Sequence, residues 1–532
     1  MNNLAICQQR LGHAHEALAL YRDLAVLNPE LGQVQNNLGQ VLQGLGRHDE
    51  AVAAFRRALE LPQRLDERID NVAPFLMQSL MYQCAWDDLA AVRQQVLDET
   101  RRRLDGGLPI TVQPFSLAGT DADGALRLAA ARSYSAHCAG QVAPLRDRLA
   151  FRHGPSQAPA LSIGYISPDF RQHSVAEAFK DLIKTHARDR ITWFGYAIGG
   201  GGRDHVTDYF RDQFEQFRDL KDLDLEAAGR LVHGDQLDLL VDLSGFTRHS
   251  ALDLLELRPA PVQAHYLGYG VTLGTDCIAY LLTDPVHTLP ELESHCSEHL
   301  VYLPDSFMAT SRPKVDASQP DRMSQSLPED GVVFANFNGH YKFDPDTFNV
   351  WMALLAQVPD SVLWLLRGSD RAMGNLCATA RAQGIDPRRL IFADKAPHGM
   401  RLARHSLADI GLDCRHHTGG VSPLDALWAS VPVISTAGSN HSARTGASIL
   451  HVAGLGVLAV ADMAAYHGKA LHLAQNPNAL ADPKSRLRTN QSAAPLFDTP
   501  RLARHLEAAY GEMIRRHRAG AAPGSFAAAE VL

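Results

Sequence analysis

The most constraining feature of the chain is a spacing. Asn2-Asn3-Leu4 returns as Asn36-Asn37-Leu38, Leu11-Gly12 as Leu45-Gly46, Glu16-Ala17 as Glu50-Ala51, and Tyr21 as Phe55. Every offset is 34 residues, the period of a tetratricopeptide repeat. Each such unit is a helix pair that buries its apolar face only by stacking on a neighbour. Gly12 and Gly46 are expected to let the two helices of a pair approach, and Tyr21 and Phe55 to fill the gap between pairs. A third, decayed unit is expected from Phe75 through Cys84-Ala85-Trp86 to Val96. Stacked units form a curved surface suited to peptide segments, or they cap the domain that follows.

Residues 100–160 read as a connector. It holds the basic triplet Arg101-Arg102-Arg103, expected to be a solvated helix end, the turn-forming Gly106-Gly107, and a helix near Leu126 to His137. From Leu161 the pattern changes. Buried-strand runs at 161–166, 191–198 and 237–243 alternate with helical stretches at 174–186 and 225–233. The pattern then restarts, with strands at 332–337, 362–366, 390–392, 410–412 and 433–435. Strands alternating with helices predict parallel, doubly wound sheets. The polar, proline-containing stretch from Ser311 to Pro328 reads as the link between two such units, and Gly199 to Gly202 as a flexible turn. The fold class is therefore α/β with an all-α module in front. Its segments are 1–66 (repeats), 67–160 (decayed repeat and connector), 161–315 and 316–498 (two Rossmann-like units), and 499–532 (a terminal helix and tail).

Bulk properties exclude some classes. A net charge of −8 lacks the basic face of a general nucleic-acid binder. No apolar run is long enough to span a bilayer, and MNNLAICQQR lacks a signal-peptide pattern. The seven cysteines are scattered, without a C-x-x-C pair, so neither a disulfide framework nor a zinc ribbon is indicated. A cytoplasmic, reduced protein is expected.

Ligands of doubly wound sheets sit beyond the carboxyl ends of the strands. The loops after Ile166, Leu243, Phe337, Leu366, Phe392 and Leu412 are therefore where chemistry is expected. The string Gly419-Gly420-Val421-Ser422-Pro423-Leu424-Asp425 follows a strand and opens a helix. Ser422 suits the N-cap, Pro423 the first helical position and Asp425 the third. Free amides there would favour a pyrophosphate, and a well-capped helix with no ligand is the plainer alternative. Lys342, after Asn336-Phe337-Asn338-Gly339-His340-Tyr341, could neutralise a diphosphate leaving group or be an ordinary surface lysine. His173, after Ser167-Pro168-Asp169-Phe170, could take a proton from an acceptor hydroxyl, although most of the 25 histidines must be structural or exposed. His416-His417 superficially resembles a metal pair, but adjacent side chains point apart and no third ligand is evident, so no metal is expected.

Four strings together carry a family resemblance. They are Gly164 to Phe170 ending at His173-Ser174; Leu257 to Gln263 followed by Leu267-Gly268-Tyr269; Asn336-Phe337-Asn338 with Lys342; and Leu424 to Trp428, then Val431-Pro432-Val433, closing with Gly446-Ala447-Ser448. In this order, behind tetratricopeptide repeats, the chain resembles the protein O-GlcNAc transferase and SPINDLY family, glycosyltransferase family 41. The resemblance implies a GT-B fold and metal-independent, inverting transfer from a nucleotide sugar to serine or threonine of proteins. By position it makes His173 a sugar and acceptor-site histidine and His233 a second histidine once proposed as base. It places Lys342 on the donor diphosphate, Ser422 at a phosphate-binding threonine, Asp425 on the ribose and Ala396 in the loop that holds the base.

The chain also departs from the family. Gly339 stands where the animal enzymes have glutamine, His398 where they have lysine, and Arg401 where they have histidine. Gly420-Val421-Ser422 replaces His-Thr-Thr, and Gly229 replaces an aspartate four residues before His233. Backbone amides, His398 and Arg401 would then carry the phosphate contacts. Residues 163–175 and Ala437-Gly438-Ser439 are closer to the SPINDLY branch, whose plant member uses GDP-fucose. Leu363 to Arg367 is closer to the animal branch. The expected activity is GlcNAc transfer from UDP-GlcNAc to protein serine or threonine, with no cofactor, protein acceptors held by the repeat groove, and neither nucleic acid nor membrane as partner. The alternatives are the same fold with GDP-fucose or UDP-glucose as donor, or a repeat scaffold with weakened catalysis.

Overall fold

The computed structural model describes residues 1–10, 12–61, 71–154, 160–199, 202–308, 315, 320–491 and 493–529. The sequence boundary at 66/67, the boundary residue 316, residues 311–314 and 316–319 of the expected link, and Gly200-Gly201 of the glycine run lie outside these residues.

The N-terminal module is a set of antiparallel helix pairs: Asn2–Arg10 with Ala14–Leu27, Gly32–Gly44 with His48–Glu60, and Val72–Tyr82 with Leu89–Asp105. Tyr21 and Phe55 are fully buried, and Phe55 stacks on Phe75 of the next pair with ring centroids 6.0 Å apart. The glycines work differently from the expectation. Gly12 and Gly46 have positive φ and open space around them, so they make the left-handed turn between helices. The close approach is at Gly39, where a Cβ would sit 2.5 Å from the Phe55 ring. The basic triplet is also only partly solvated. Arg103 is 6% exposed and donates twice to the Pro109 carbonyl, at 2.9 and 2.6 Å, tying down the chain that leaves its helix.

The connector is a packed strut. Its helix runs Gly124–Leu149, longer than the stretch read from periodicity, and starts where Asp123 accepts from Leu126 N. Ala130 packs into the repeat core while Ala131 and Cys138 pack into the core of the next unit.

Among the described residues fourteen strands follow: β1 Leu161–Ser167, β2 Ile191–Ala197, β3 Gln216–Asp219, β4 Leu239–Asp242, β5 Gln263–His265, β6 Tyr280–Thr283, β7 His299–Tyr302, β8 Val333–Asn336, β9 Val362–Leu366, β10 Leu390–Ala393, β11 Ile410–Leu412, β12 Val433–Thr436, β13 Ala459–Val460 and β14 Phe526–Ala527. The first sheet has the order β14-β7-β6-β5-β4-β1-β2-β3 and the second β10-β9-β8-β11-β12-β13. Every described strand pair is parallel. Parallel strands are covered by helices on both faces, which is why β4 and β8 are buried along their whole length. These are the two doubly wound units expected of a GT-B fold.

The chain's end returns to the first unit. Helix Thr499–Arg518 lies on helix Ser174–Thr185, and β14 adds to β7. Polar contacts fix it: the buried pairs Tyr165 with Tyr510 at 3.1 Å and His186 with Glu507 at 2.9 Å, and at the rim Arg518 donating to Asp238 at 2.8 Å. Among the described residues no helix is long and apolar enough to cross a membrane.

The carboxyl ends of the two sheets face each other. Ser448 donates to Asp284 at 2.6 Å, Arg444 donates to the Val286 carbonyl at 2.9 Å, and His398 meets Glu177 at 2.6 Å. Each contact joins a loop or helix start of one unit to that of the other.

Candidate active site

The floor of the second unit is organised by Asp413, which directly follows β11. Its carboxylate accepts from Cys414 N, Gly419 N and Ser435 Oγ, each at 2.8 Å, and from Asn338 Nδ2 at 3.3 Å. Asn336 Nδ2 donates to the Leu412 carbonyl at 2.6 Å and ties the end of β8 to the end of β11. Glycine is required at 419, because a Cβ there would fall 2.7 Å from Asn338 Oδ1 and 2.5 Å from Pro423 Cδ. This scaffold presents the Thr418 carbonyl, to which Lys342 Nζ donates at 3.1 Å. Burial lowers the Lys342 ammonium from its ordinary range, while Cys414 and Asp413 counter the shift.

Lys342 thus stands beside the start of helix Val421–Trp428. The structure corrects the expected register of that helix. Gly420 is the N-cap, no side chain caps the first turn, and Ser422 is the second helical residue. The Ser422 hydroxyl donates instead to the Phe337 carbonyl at 3.3 Å. The helix begins early because Asp413 has already gathered the chain at Gly419, so the first-turn amides carry no capping side chain. Gly420 and Val421 bring only backbone to this end.

One turn along, Asp425 is the centre of an ionic cluster. Its Oδ1 accepts from His398 Nε2 at 2.9 Å and its Oδ2 from Arg401 Nε at 2.7 Å. Burial alone would raise the Asp425 carboxyl, but these donors outweigh it and hold it below the usual range. His398 opens helix His398–His405, and Ala396 lies half-buried in the loop before it. His398 Nδ1 bonds Glu177 Oε2 at 2.6 Å, and Lys180 Nζ bonds the same oxygen at 2.5 Å. Burial works against charge on His398, yet the two carboxylates win and raise the imidazole. Burial would also raise Glu177, but His398 and Lys180 hold it down at about 2. Arg401 Nη2 is buried with no hydrogen-bond partner among the described residues.

On the first unit, His173 is the N-cap of helix Ser174–Thr185, and its side chain is 41% exposed. Its Nδ1 lies 3.3 Å from both Val175 N and Asp169 Oδ2. The two contacts exclude each other: with Nδ1 accepting from Val175 N the neutral ring carries its proton on Nε2, and with a proton on Nδ1 directed at Asp169 it is Nε2 that accepts. Burial lowers the imidazole pKa, with Asp169 opposing the shift.

His233 does not join this group. It ends the helix before β4, at the amino edge of the sheet, where it stacks on Phe151 at 4.2 Å and donates to the Pro259 carbonyl at 3.4 Å. Gly229 faces Leu257 in the same layer. His416 and His417 also diverge, the first toward Asp121 at 3.7 Å and the second against the Phe115 and Tyr341 rings. Sequence reasoning passed over Asp413, Asp169 and Glu177. Asp413 and Asp169 follow strands and were open to the same argument as Lys342. Glu177 had no local signal, because its partner lies 221 residues away.

Comparison with known proteins gives the family of the chain. The chain matches the model for glycosyl transferase family 41 over residues 83–317 and 309–506, and a tetratricopeptide repeat over 32–64. It is 31% identical over 469 residues to the probable UDP-N-acetylglucosamine–peptide N-acetylglucosaminyltransferase SEC of Arabidopsis thaliana, covering 85% of this chain and 48% of that protein. It is 31% identical over 374 residues to the probable UDP-N-acetylglucosamine–peptide N-acetylglucosaminyltransferase SPINDLY of Oryza sativa subsp. japonica, covering 68% of this chain and 40% of that one. The chain therefore spans about half the length of the curated relatives it matches. A mutant of the Thermobaculum terrenum O-GlcNAc transferase superposes with a TM-score of 0.77 at 24% identity, covering 97% of both chains.

Proposed function

Because the chain belongs to glycosyltransferase family 41, we propose that it transfers N-acetylglucosamine from UDP-GlcNAc to serine or threonine side chains of proteins, with inversion. One observation carries the reading: an uncapped helix N-terminus stands beside a half-buried lysine, with a charged acid cluster one turn on. A nucleoside diphosphate fits that set. The first-turn amides of Val421 and Ser422 and the Lys342 ammonium meet the diphosphate oxygens, and Asp425 accepts from the ribose hydroxyls. The spare Arg401 donor faces the same cluster. The loop at Ala396 takes the base.

In the reaction, an acceptor hydroxyl attacks the anomeric carbon from the face opposite the diphosphate. The new carbon–oxygen bond forms as the bond to the diphosphate oxygen breaks. Lys342 and the helix amides stabilise the charge that develops on that oxygen. They do so without a divalent cation, so transfer is expected to persist in a chelator. His173, in the tautomer whose Nδ1–H is held by Asp169, receives the hydroxyl proton on Nε2. Acceptor proteins reach the cleft along the repeat module, whose concave face is the natural bed for a peptide segment.

The test is a panel of UDP-GlcNAc, UDP-glucose and GDP-fucose, each incubated with the protein and an acceptor mixture and read by mass spectrometry. Mass increments of N-acetylhexosamine on serine or threonine with UDP-GlcNAc alone support the reading. Fucose or hexose increments move the donor, and no increment with any of them removes the enzyme.

A further inference from the structure

We infer that Glu177, on the opposite unit from the donor pocket, is a positioning residue for the donor: it fixes His398 as a doubly donating cation between itself and Asp425, and so completes the pocket across the cleft. The inference rests on the donor-site reading above. The argument is one of proton counting. His398 has two ring nitrogens, and each faces a carboxylate, Glu177 Oε2 at 2.6 Å and Asp425 Oδ1 at 2.9 Å. An ionised carboxylate only accepts, so both nitrogens must donate and the ring is positively charged. The side chains are 13, 17 and 6% exposed for His398, Glu177 and Asp425, so water competes little for these bonds.

The groups around the ring are few. From the first unit they are Glu177 and Lys180. From helix Val421–Trp428 there is Asp425, and from the histidine's own helix Arg401, Arg404 and the buried His405. Burial takes His405 down to about 4, so it contributes no charge at neutral pH. Asp425 already holds Arg401 on its other oxygen. When ribose hydroxyls take a share of Asp425, Glu177 is the acceptor among the described residues that keeps His398 oriented and protonated. A histidine without that partner would lose its charge near neutrality, and the diphosphate would lose a cation. Because Glu177 and His398 come from different units, the cation is complete only when the cleft is closed.

The experiment is calorimetric titration of the full chain with UDP from about pH 5.5 to about pH 8, for wild type, Glu177→Gln and Glu177→Gln with His398→Lys, plus NMR titration of the His398 imidazole. Wild-type affinity is expected to follow only the ionisation of the terminal phosphate of UDP, so each variant is read as its ratio to wild type at the same pH. Glu177→Gln is expected to bind close to wild type at the acid end, where His398 is protonated anyway, and on the order of tenfold more weakly at the alkaline end. Lysine at 398 stays charged unaided and restores the alkaline affinity. The His398 resonance titrates at lower pH in Glu177→Gln than in wild type. A loss equal at every pH, no loss at all, or no restoration by His398→Lys overturns the inference while leaving the donor site standing. Wild type that binds neither UDP nor GDP at any pH overturns the donor-site reading, and this inference with it.

Discussion

The two edges of the first sheet carry similar residues to different ends. At the carboxyl edge His173 is 41% exposed, paired with Asp169, and open on the nitrogen that faces away from its helix. At the amino edge His233 is sandwiched on Phe151 and tied to a backbone carbonyl. Its neighbours are likewise committed. Asp238 takes Ser162 N and Arg518, and Gln263 donates to the Leu255 and Cys277 carbonyls. The amino edge spends its polar groups on joining the chain to itself. The carboxyl edge leaves donors and acceptors facing the other unit. In an open α/β sheet that asymmetry is what separates residues that react from residues that hold.

Substitutions can break this division or sharpen it. The largest effect is expected for Lys342→Ala, which removes the cation beside the leaving diphosphate. Transfer and donor hydrolysis should both fall on the order of a thousandfold, with circular dichroism unchanged. Near-wild-type turnover would take Lys342 out of the site. Next is His173→Ala, expected to lower kcat about a hundredfold with a smaller change in the KM for donor. Its pH profile supplies a further check. Burial depresses the imidazole pKa, so the neutral, proton-accepting form dominates at neutral pH. Wild-type activity should therefore decline only as pH falls through that lowered value, below the ordinary histidine range, and the decline should vanish in the alanine variant. A smaller effect follows from Asp425→Asn, which weakens UDP binding about tenfold in calorimetry by removing one charged acceptor from the ribose and from His398 and Arg401.

The residues behind these predictions differ in how far they could be read from the chain. β9 and β11 fall at the expected bounds, because Val362–Leu366 and Ile410–Leu412 are short apolar runs between turns. β5, β6 and β7 were passed over. They are three or four residues long, and β5 carries Gln263 and His265, which are buried because strands flank both edges of β5 and both faces of the sheet are covered. Lys342 lies in the segment after β8, His398 at the start of the helix after β10 and Asp425 in the helix after β11, positions open to inspection. The register at Ser422 was not, since the helix start is set by Asp413 reaching Gly419 from six residues upstream. Gly39 hid for a related reason. Its significance lies in the Phe55 ring from the partner helix, not in its neighbours along the chain.

The smallest expected effect tests the comparison most directly. His233→Ala removes a ring stacked on Phe151 and one hydrogen bond to the Pro259 carbonyl. Losing a stacked pair and a neutral hydrogen bond on a half-buried helix end costs about 1–2 kcal/mol of stability, seen as a lower midpoint in urea. The site it would leave untouched is at the other end of β4, so kcat and the KM for donor should stay within about twofold of wild type. A hundredfold loss in kcat with an unchanged urea midpoint would reverse the assignment. It would mean that the amino edge reaches the reacting groups, and that the family position of His233 is a better guide than its contacts. A shifted midpoint with intact kinetics keeps the two edges distinct, and leaves His173 as the histidine on this sheet that handles the proton.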